Sequence, residues 1–327
     1  MTRADLILNL ASAAGKGDRQ MLGKVLEALI AEEKGKRHYV LANQLQDILK
    51  ESANGSSNRI LPKERIDSLV YEKTTLRSLK DLILKKDVLD VCHEIIEEQH
   101  RADLLRSHNI EPRNRILLVG PPGNGKTSLA EAIADALVVP FISVRYEGVV
   151  GSYLGETANR LKNLFDYIRT QQCVLFFDEF DSLGKERGDI HETGEIKRVV
   201  SSLLLQIDNL PSYVVIIGAT NHSELLDRAV WRRFQIRLDL RRPDKSDIES
   251  YLRSFQVRFS LTMDLTLKEL VDRLDGLNYS EVEDFCLDIY RRYVLALPDA
   301  DLTKIVTQRS KQLRRMYRHN KNVKNSR

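Results

Sequence analysis

Ile116-Leu-Leu-Val119, running straight into Gly120-Pro-Pro-Gly-Asn-Gly-Lys-Thr127, decides the fold. Four apolar residues in a row suit a short strand buried on both faces. The glycines and prolines then stop the strand, and a helical stretch is expected from Lys126 to about Val138. The loop matches Gly-x-x-x-x-Gly-Lys-[Ser/Thr] in full, and the strand before it and helix after it are the context that gives the pattern meaning. In such a loop backbone N–H groups turn inward around phosphate oxygens, and the helix N-terminus adds a favourable dipole. Gly120, Pro121, Pro122, Gly123, Asn124, Gly125, Lys126, Thr127 and Ser128 are therefore the candidate phosphate cradle. Lys126 would bring an ammonium to the outer phosphates and Thr127 a hydroxyl to Mg²⁺. A chance glycine-rich turn would not carry all three parts in register.

Val174-Leu-Phe-Phe-Asp-Glu179 supplies the second half. A buried strand ends on two carboxylates. Asp178 is expected to share the Mg²⁺ with Thr127, and Glu179 to orient and polarise an attacking water. Adjacent acids after a strand also occur in capping turns. Their pairing with the phosphate loop gives this pair its weight.

Outward from these two stretches, Phe141-Ile-Ser-Val144, Val214-Val-Ile-Ile217 and Phe234-Gln-Ile-Arg-Leu238 read as strands, with helical stretches between them. A helix-like stretch, Val88 to His108, precedes the first strand. Strands alternating with helices predict an α/β fold with a mainly parallel sheet. After Pro243 the strand signals stop, and residues 243–308 read as a separate helical subdomain. At the other end, residues 1–51 carry three apolar stripes at helical spacing: Leu6/Ile7/Leu10/Ala11, Leu22/Val25/Leu26/Ile30 and Leu41/Leu45/Leu49. A small helical domain is expected there. Glu51 to Asn58 has the composition of a flexible linker, and residues 52–75 are assigned to it, leaving 76–242 as the α/β part.

Of the 327 residues, 42% are hydrophobic and 30% charged, which excludes a fibrous or wholly disordered chain. No stretch approaches the roughly 18 apolar residues of a membrane helix, and the first residues have no sustained apolar run of a signal peptide. Cys92, Cys173 and Cys286 are isolated, so neither a disulfide framework nor a Cys-x-x-Cys metal site is indicated. A cytoplasmic location is expected. The net charge of +4 hides an asymmetry, because residues 309–327 hold eight basic residues and no acid, leaving −4 on the rest. That tail is either a binding segment for nucleic acid or an acidic partner, or a solvated C-terminus.

Together the motifs resemble the AAA+ ATPases over roughly residues 76–300, in particular the AAA clade that includes katanin and spastin. Ile217-Gly-Ala-Thr-Asn221 is similar to the family's sensor-1 strand, with Asn221 at the tip where it could hold the lytic water. Leu226-Asp-Arg-Ala-Val-Trp-Arg-Arg-Phe234 is similar to its arginine-finger segment, in the compact Arg-Arg-Phe form of the katanin and spastin branch. The resemblance implies a P-loop NTPase sheet with a helical lid, Mg-dependent ATP hydrolysis, and Arg232 and Arg233 reaching the γ-phosphate of a neighbouring subunit. It implies a homo-hexameric ring. It also places Tyr153 and Leu154, in Gly151-Ser-Tyr-Leu-Gly-Glu-Thr157, on a pore loop that grips a polypeptide; the plainer reading is a helix N-terminus with Tyr153 in the core. Gly184 to Glu195 would be a second pore loop with His191 as its contact, although a lone exposed histidine explains that residue as well.

Two stretches depart from the family pattern. Asn278-Tyr-Ser-Glu-Val-Glu283 stands for a Gly-Tyr-Ser-Gly-Ala-Asp-like lid signature, and Leu79 to Ile83 matches the adenine-flanking segment poorly, so no adenine contact is assigned. Three functions compete: a protein remodeller or unfoldase, a nucleic-acid-associated loader or helicase-like ATPase, and a slow nucleotide-dependent scaffold. Tyr-Leu-Gly in place of Lys or Arg on the pore loop favours the first, and the intact Glu179, Arg232 and Arg233 weigh against the last. No His-Glu-x-x-His protease motif is present, so any peptidase it serves is a separate chain. Residues 1–51 are the expected client or adaptor module.

Overall fold

The computed structural model describes residues 68–73, 77–145, 154–183, 200–259 and 267–312, together with Val25, Ala28 and Ile30. The chain divides into two compact units, Met1–Pro62 and Lys63–Arg327. In the first, Val25, Ala28 and Ile30 are helical, with Val25 and Ile30 buried and Ala28 exposed, as the second apolar stripe requires. The remainder of the expected three-helix domain lies outside the described residues.

The second unit is built on a six-stranded sheet: β1 (Val70–Lys73), β2 (Arg115–Val119), β3 (Phe141–Val144), β4 (Cys173–Phe177), β5 (Val214–Thr220) and β6 (Ile236–Asp239). Its order is β1-β3-β4-β5-β2-β6, parallel throughout except that β1 runs antiparallel to β3. Every residue of β4 and β5 is buried, which is why these segments read as continuous apolar runs without alternation. The helices of this part are α1 (Lys86–His100), α2 (Ala102–Ser107), α3 (Lys126–Leu137), α4 (Leu154–Ile168), α5 (200–208) and α6 (Arg228–Arg233). Leu129, Ile133, Cys92 and Ile95 join the sheet residues in one core.

Three expectations need correction. Residues 70–73, assigned to the linker, form β1; only Val70 of the four is buried, so the strand carries almost no hydrophobic signal. The helix expected over Val88–His108 starts at Lys86 and breaks at Arg101, whose φ of −108° and ψ of 26° divide α1 from α2. Phe234 does not begin a strand. It closes α6, packs edge-on against Phe180 with centroids 5.5 Å apart, and the Gln235 side chain accepts from the N–H of Asn114 before β6 begins.

The lid consists of α7 (Lys245–Phe259), α8 (Leu267–Leu274), α9 (Tyr279–Leu295) and α10 (302–312) around Ile248, Leu252, Leu274, Val282, Ile289 and Val306. α10 runs through the boundary drawn at residue 308. Ser310 is buried with its hydroxyl bonded to the Val306 carbonyl, and Arg309 pairs with Asp288 at 3.1 Å. No helix among the described residues is long and apolar enough to cross a membrane.

Candidate functional site

The chain leaves β2 through the glycine loop, crosses in α3 past β5 and β4, and enters the sheet again at β3, while β6 lies on the other side of β2. The direction of connection therefore changes at β2, and ligands of open α/β sheets bind beyond the strand C-termini at such a point. Register brings the right tips there. Val119 is opposite Thr220, and Phe177 is opposite Gly218, so the residues after β2, β4 and β5 meet in one place.

Gly120 has φ +146°, and a Cβ there would lie 2.3 Å from the Leu240 carbonyl oxygen, so neither the conformation nor the space admits a side chain. Asn124 donates its Nδ2 to the same carbonyl at 3.1 Å, fastening the loop to the chain after β6. Its side chain is thus a brace, and the backbone of the loop is left for phosphate. Lys126, 6% exposed, donates Nζ to the carbonyls of Gly120 at 2.7 Å and Pro121 at 3.0 Å, and to Asn221 Oδ1 at 2.6 Å. All three acceptors are neutral. Burial holds the ammonium pKa below its ordinary value, partly offset by the Asp178 and Asp181 carboxylates further off. A buried cation facing only dipoles is a strong attractor for an anion.

Thr127 Oγ1 lies 3.5 Å from Asp178 Oδ2, and Asp178 Oδ1 accepts the Glu179 N–H at 2.9 Å. The Thr127 hydroxyl and Asp178 carboxylate are hard oxygen donors of the kind Mg²⁺ prefers. Glu179 is exposed, has φ +47°, and makes no side-chain hydrogen bond among the described residues. Asn221 uses its oxygen on Lys126, and its Nδ2 donors have no partner among the described residues.

Asp181 and Thr220 were missed in the sequence. The Thr220 hydroxyl donates to Asp181 Oδ1 at 2.9 Å, both groups are buried, and the His222 N–H donates to the same hydroxyl at 3.0 Å. This bond ties the turn after β4 to the tip of β5, fixing Glu179 and Asn221 relative to each other. A lone threonine in an apolar strand was the available signal.

The structure does not bring Arg232 or Arg233 to the chain's own phosphate loop. Both end α6, and neither bonds to the loop, Asp178, Glu179 or Asn221. They also differ. Arg233 donates to Asp208 Oδ2 at 3.2 Å and to the Ala229 carbonyl at 3.1 Å, and Asp208 binds Arg115 as well. Arg232 is exposed and pairs with nothing among the described residues. Ser128 accepts from Arg77 at 2.9 Å. Leu154 opens α4, while Tyr153 and the stretch Gly184 to Glu195, with His191, lie outside the described residues.

A glycine-rich loop between β2 and α3, paired with acids at the tip of β4 and capped by a helical lid, defines a P-loop nucleoside triphosphatase. Residues 116–242 match the family described as "ATPase family associated with various cellular activities (AAA)". The uncharacterized AAA family ATPase y4kL of Sinorhizobium fredii is 33% identical over 302 residues, 90% of each chain. The chain belongs to the AAA family of ATPases, and it is an enzyme that binds and hydrolyses ATP. The ATP-dependent zinc metalloprotease FtsH 3 of Sphaerobacter thermophilus is 32% identical over 69% of this chain and 47% of its own. A protein of Corynebacterium diphtheriae named as an AAA ATPase forming ring-shaped complexes is 31% identical over 58% of this chain and 41% of its own. The chain thus spans less than half the length of these last two relatives.

Proposed function

We propose that this ATPase works as a ring of identical subunits, a hexamer, and spends ATP on remodelling a polypeptide client drawn into the central pore. The observation that carries the ring is the exposed Arg232, which makes no bond to the phosphate loop of its own chain; its role at a neighbour's loop is our reading. A head-to-tail interface of that kind closes into a ring when its rotation allows. The ring-forming relative supports the same assembly, and the ATP-dependent metalloprotease supports a protein client.

In this reading the loop amides and Lys126 hold the phosphates. Thr127 and Asp178 hold Mg²⁺, which neutralises phosphate charge when bound. Glu179 takes up the attacking water's proton as it orients it, and Asn221 donates Nδ2 to the water or the γ-phosphate. Arg232 adds positive charge to the transition state from the adjacent subunit. Tyr153 and Leu154 grip the client, residues 1–51 recruit it or an adaptor, and any peptidase is a separate cytoplasmic partner.

The test compares Tyr153→Ala with deletion of residues 313–327, which spares α10. A fluorescent protein with an unstructured tail serves as client, and salt-dependent DNA binding is read on the same samples. Tyr153→Ala should keep basal ATPase activity within about twofold and slow unfolding at least about tenfold. The deletion should leave unfolding in place. If Tyr153→Ala unfolds the client normally and the deletion abolishes DNA-stimulated ATPase activity, the chain is a nucleic-acid loader instead.

A further inference from the structure

Residues 77–85, between β1 and α1, include the stretch Leu79 to Ile83 that matches the family's adenine-flanking segment poorly, and they lie across the junction of lid and sheet. Leu79, Leu82 and Leu84 pack on the sheet core. At one end, Arg77 donates Nη1 to Ser128 Oγ at 2.9 Å and Nη2 to Glu283 Oε1 at 3.2 Å. Ser128 follows Thr127 on α3, and Glu283 is on the lid helix α9. One guanidinium therefore spans from the phosphate-holding helix to the lid.

At the other end, Lys85 Nζ lies 2.6 Å from Asp244 Oδ2 and 2.7 Å from Asp247 Oδ2. Those two acids cap α7: Asp244 Oδ1 accepts from the N–H groups of Ser246 and Asp247, and Asp247 accepts from Asp244 N–H. The lid meets the phosphate loop directly as well. The Ser280 N–H donates to the Gly123 carbonyl at 3.0 Å, and a Cβ on Gly123, at φ +76°, would strike the Asn278 side chain at 2.7 Å. Any rotation of α9 away from the sheet must part these contacts and the Arg77 bridge together.

The two ends are unequal. Lys85 faces two carboxylates at 2.6 and 2.7 Å; Lys85 and Asp244 are exposed, and the Asp247 side chain is 10% exposed. These bonds hold the Asp244 carboxyl well below the usual range and Lys85 above its own. Arg77 meets one carboxylate, Glu283, at the longer distance of 3.2 Å, and a single partly exposed ion pair of this kind contributes little.

We propose that Arg77 is a positioning residue that latches the lid to the phosphate-holding helix through Glu283 and Ser128, and that opening this latch, with Lys85 as the fixed anchor, gates release of ADP. The latch needs only nucleotide binding, so its test is indifferent to the ring and the pore.

The experiment follows displacement of the fluorescent nucleotide mant-ADP by excess ADP in the full chain. Arg77→Met and Glu283→Gln should each speed release about two- to fivefold, the range expected of a half-exposed pair. Both together should be no faster than either alone, because they break the same bridge. The swap Arg77→Glu/Glu283→Arg should recover at least half of the slowing. Raising salt should speed release from wild type but not from Arg77→Met. Thermal unfolding of each variant is measured alongside. Release rates that stay at the wild-type value, single effects that add, or a charge swap that recovers nothing would each overturn the latch. So would a loss of thermal stability without any change in release.

Discussion

Glu179 holds a left-handed backbone at φ +47°, which costs a non-glycine residue about 1–2 kcal/mol, directly after the carboxylate proposed for the metal. The turn lets its N–H cap Asp178 Oδ1, orienting the other carboxylate oxygen toward Thr127. Function and stability are therefore opposed at one residue. Glu179→Gln should bind ATP as wild type does and lose turnover by about 10²-fold or more, read by nucleotide affinity and phosphate release. Turnover near wild type would remove Glu179 as the base. Glu179→Asn should be equally inactive but more stable by about 0.5–1 kcal/mol, because asparagine tolerates the left-handed region. In a thermal scan that is a rise of about 1–2 °C. A fall would mean that the glutamate side chain itself stabilises the turn.

At the scale of elements, the tips of β4 and β5 are held by one buried hydrogen bond, Thr220 to Asp181. Thr220→Val keeps the shape and removes the donor, leaving a buried carboxylate without its partner. Unfolding free energy should fall by about 1–3 kcal/mol, and turnover should fall with it because Asn221 is the next residue. Unchanged turnover in a destabilised variant would show that Asn221 keeps its place without this bond.

The anchor of α7 has a pH signature. Asp244 has a depressed folded pKa, so its contribution is present above the unfolded value of about 3.9 and is lost as pH falls below it. Lys85 is raised, so its contribution is complete below about 10.4 and is lost only as pH climbs through the raised value. The stability gap between wild type and Lys85→Met should be flat from about pH 5 to 9 and shrink below about pH 4. A gap that widens in acid would contradict the pairing.

At the scale of the whole molecule, the two adjacent arginines should separate in their effects. Arg233 is bonded to Asp208 of the same chain, whereas Arg232 is exposed. A finger supplied in trans is worth about 10³- to 10⁵-fold in other phosphoryl-transfer systems, and Arg232→Ala should show the larger loss. Mixing Arg232→Ala subunits with Lys126→Ala subunits should restore part of the activity, since some interfaces then pair an intact loop with an intact finger. No recovery in confirmed mixed assemblies would place Arg232 in its own subunit's chemistry. The same mixture made with Arg233→Ala should begin from a higher baseline.

The phosphate loop, its strand and helix, and the acids after β4 were legible because each is contiguous in sequence and its chemistry is local: apolar residues to bury, glycines to turn, and a lysine at a fixed offset. The parallel α/β class followed from the alternation of such segments, and the helical lid from the absence of strand signals after Pro243. β1 was hidden because an edge strand of four residues buries one side chain. Asp181 with Thr220, and Arg77 with Ser128 and Glu283, were hidden for a different reason. Their partners lie 39, 51 and 206 positions apart, and no local pattern encodes a pairing that exists only once the sheet has brought β4 beside β5 and the lid has closed over α3. The unlike settings of Arg232 and Arg233 were likewise decided by tertiary structure: in sequence they are neighbours of one kind, and the approach of Asp208 from α5 holds Arg233, whereas Arg232 is exposed with no partner among the described residues.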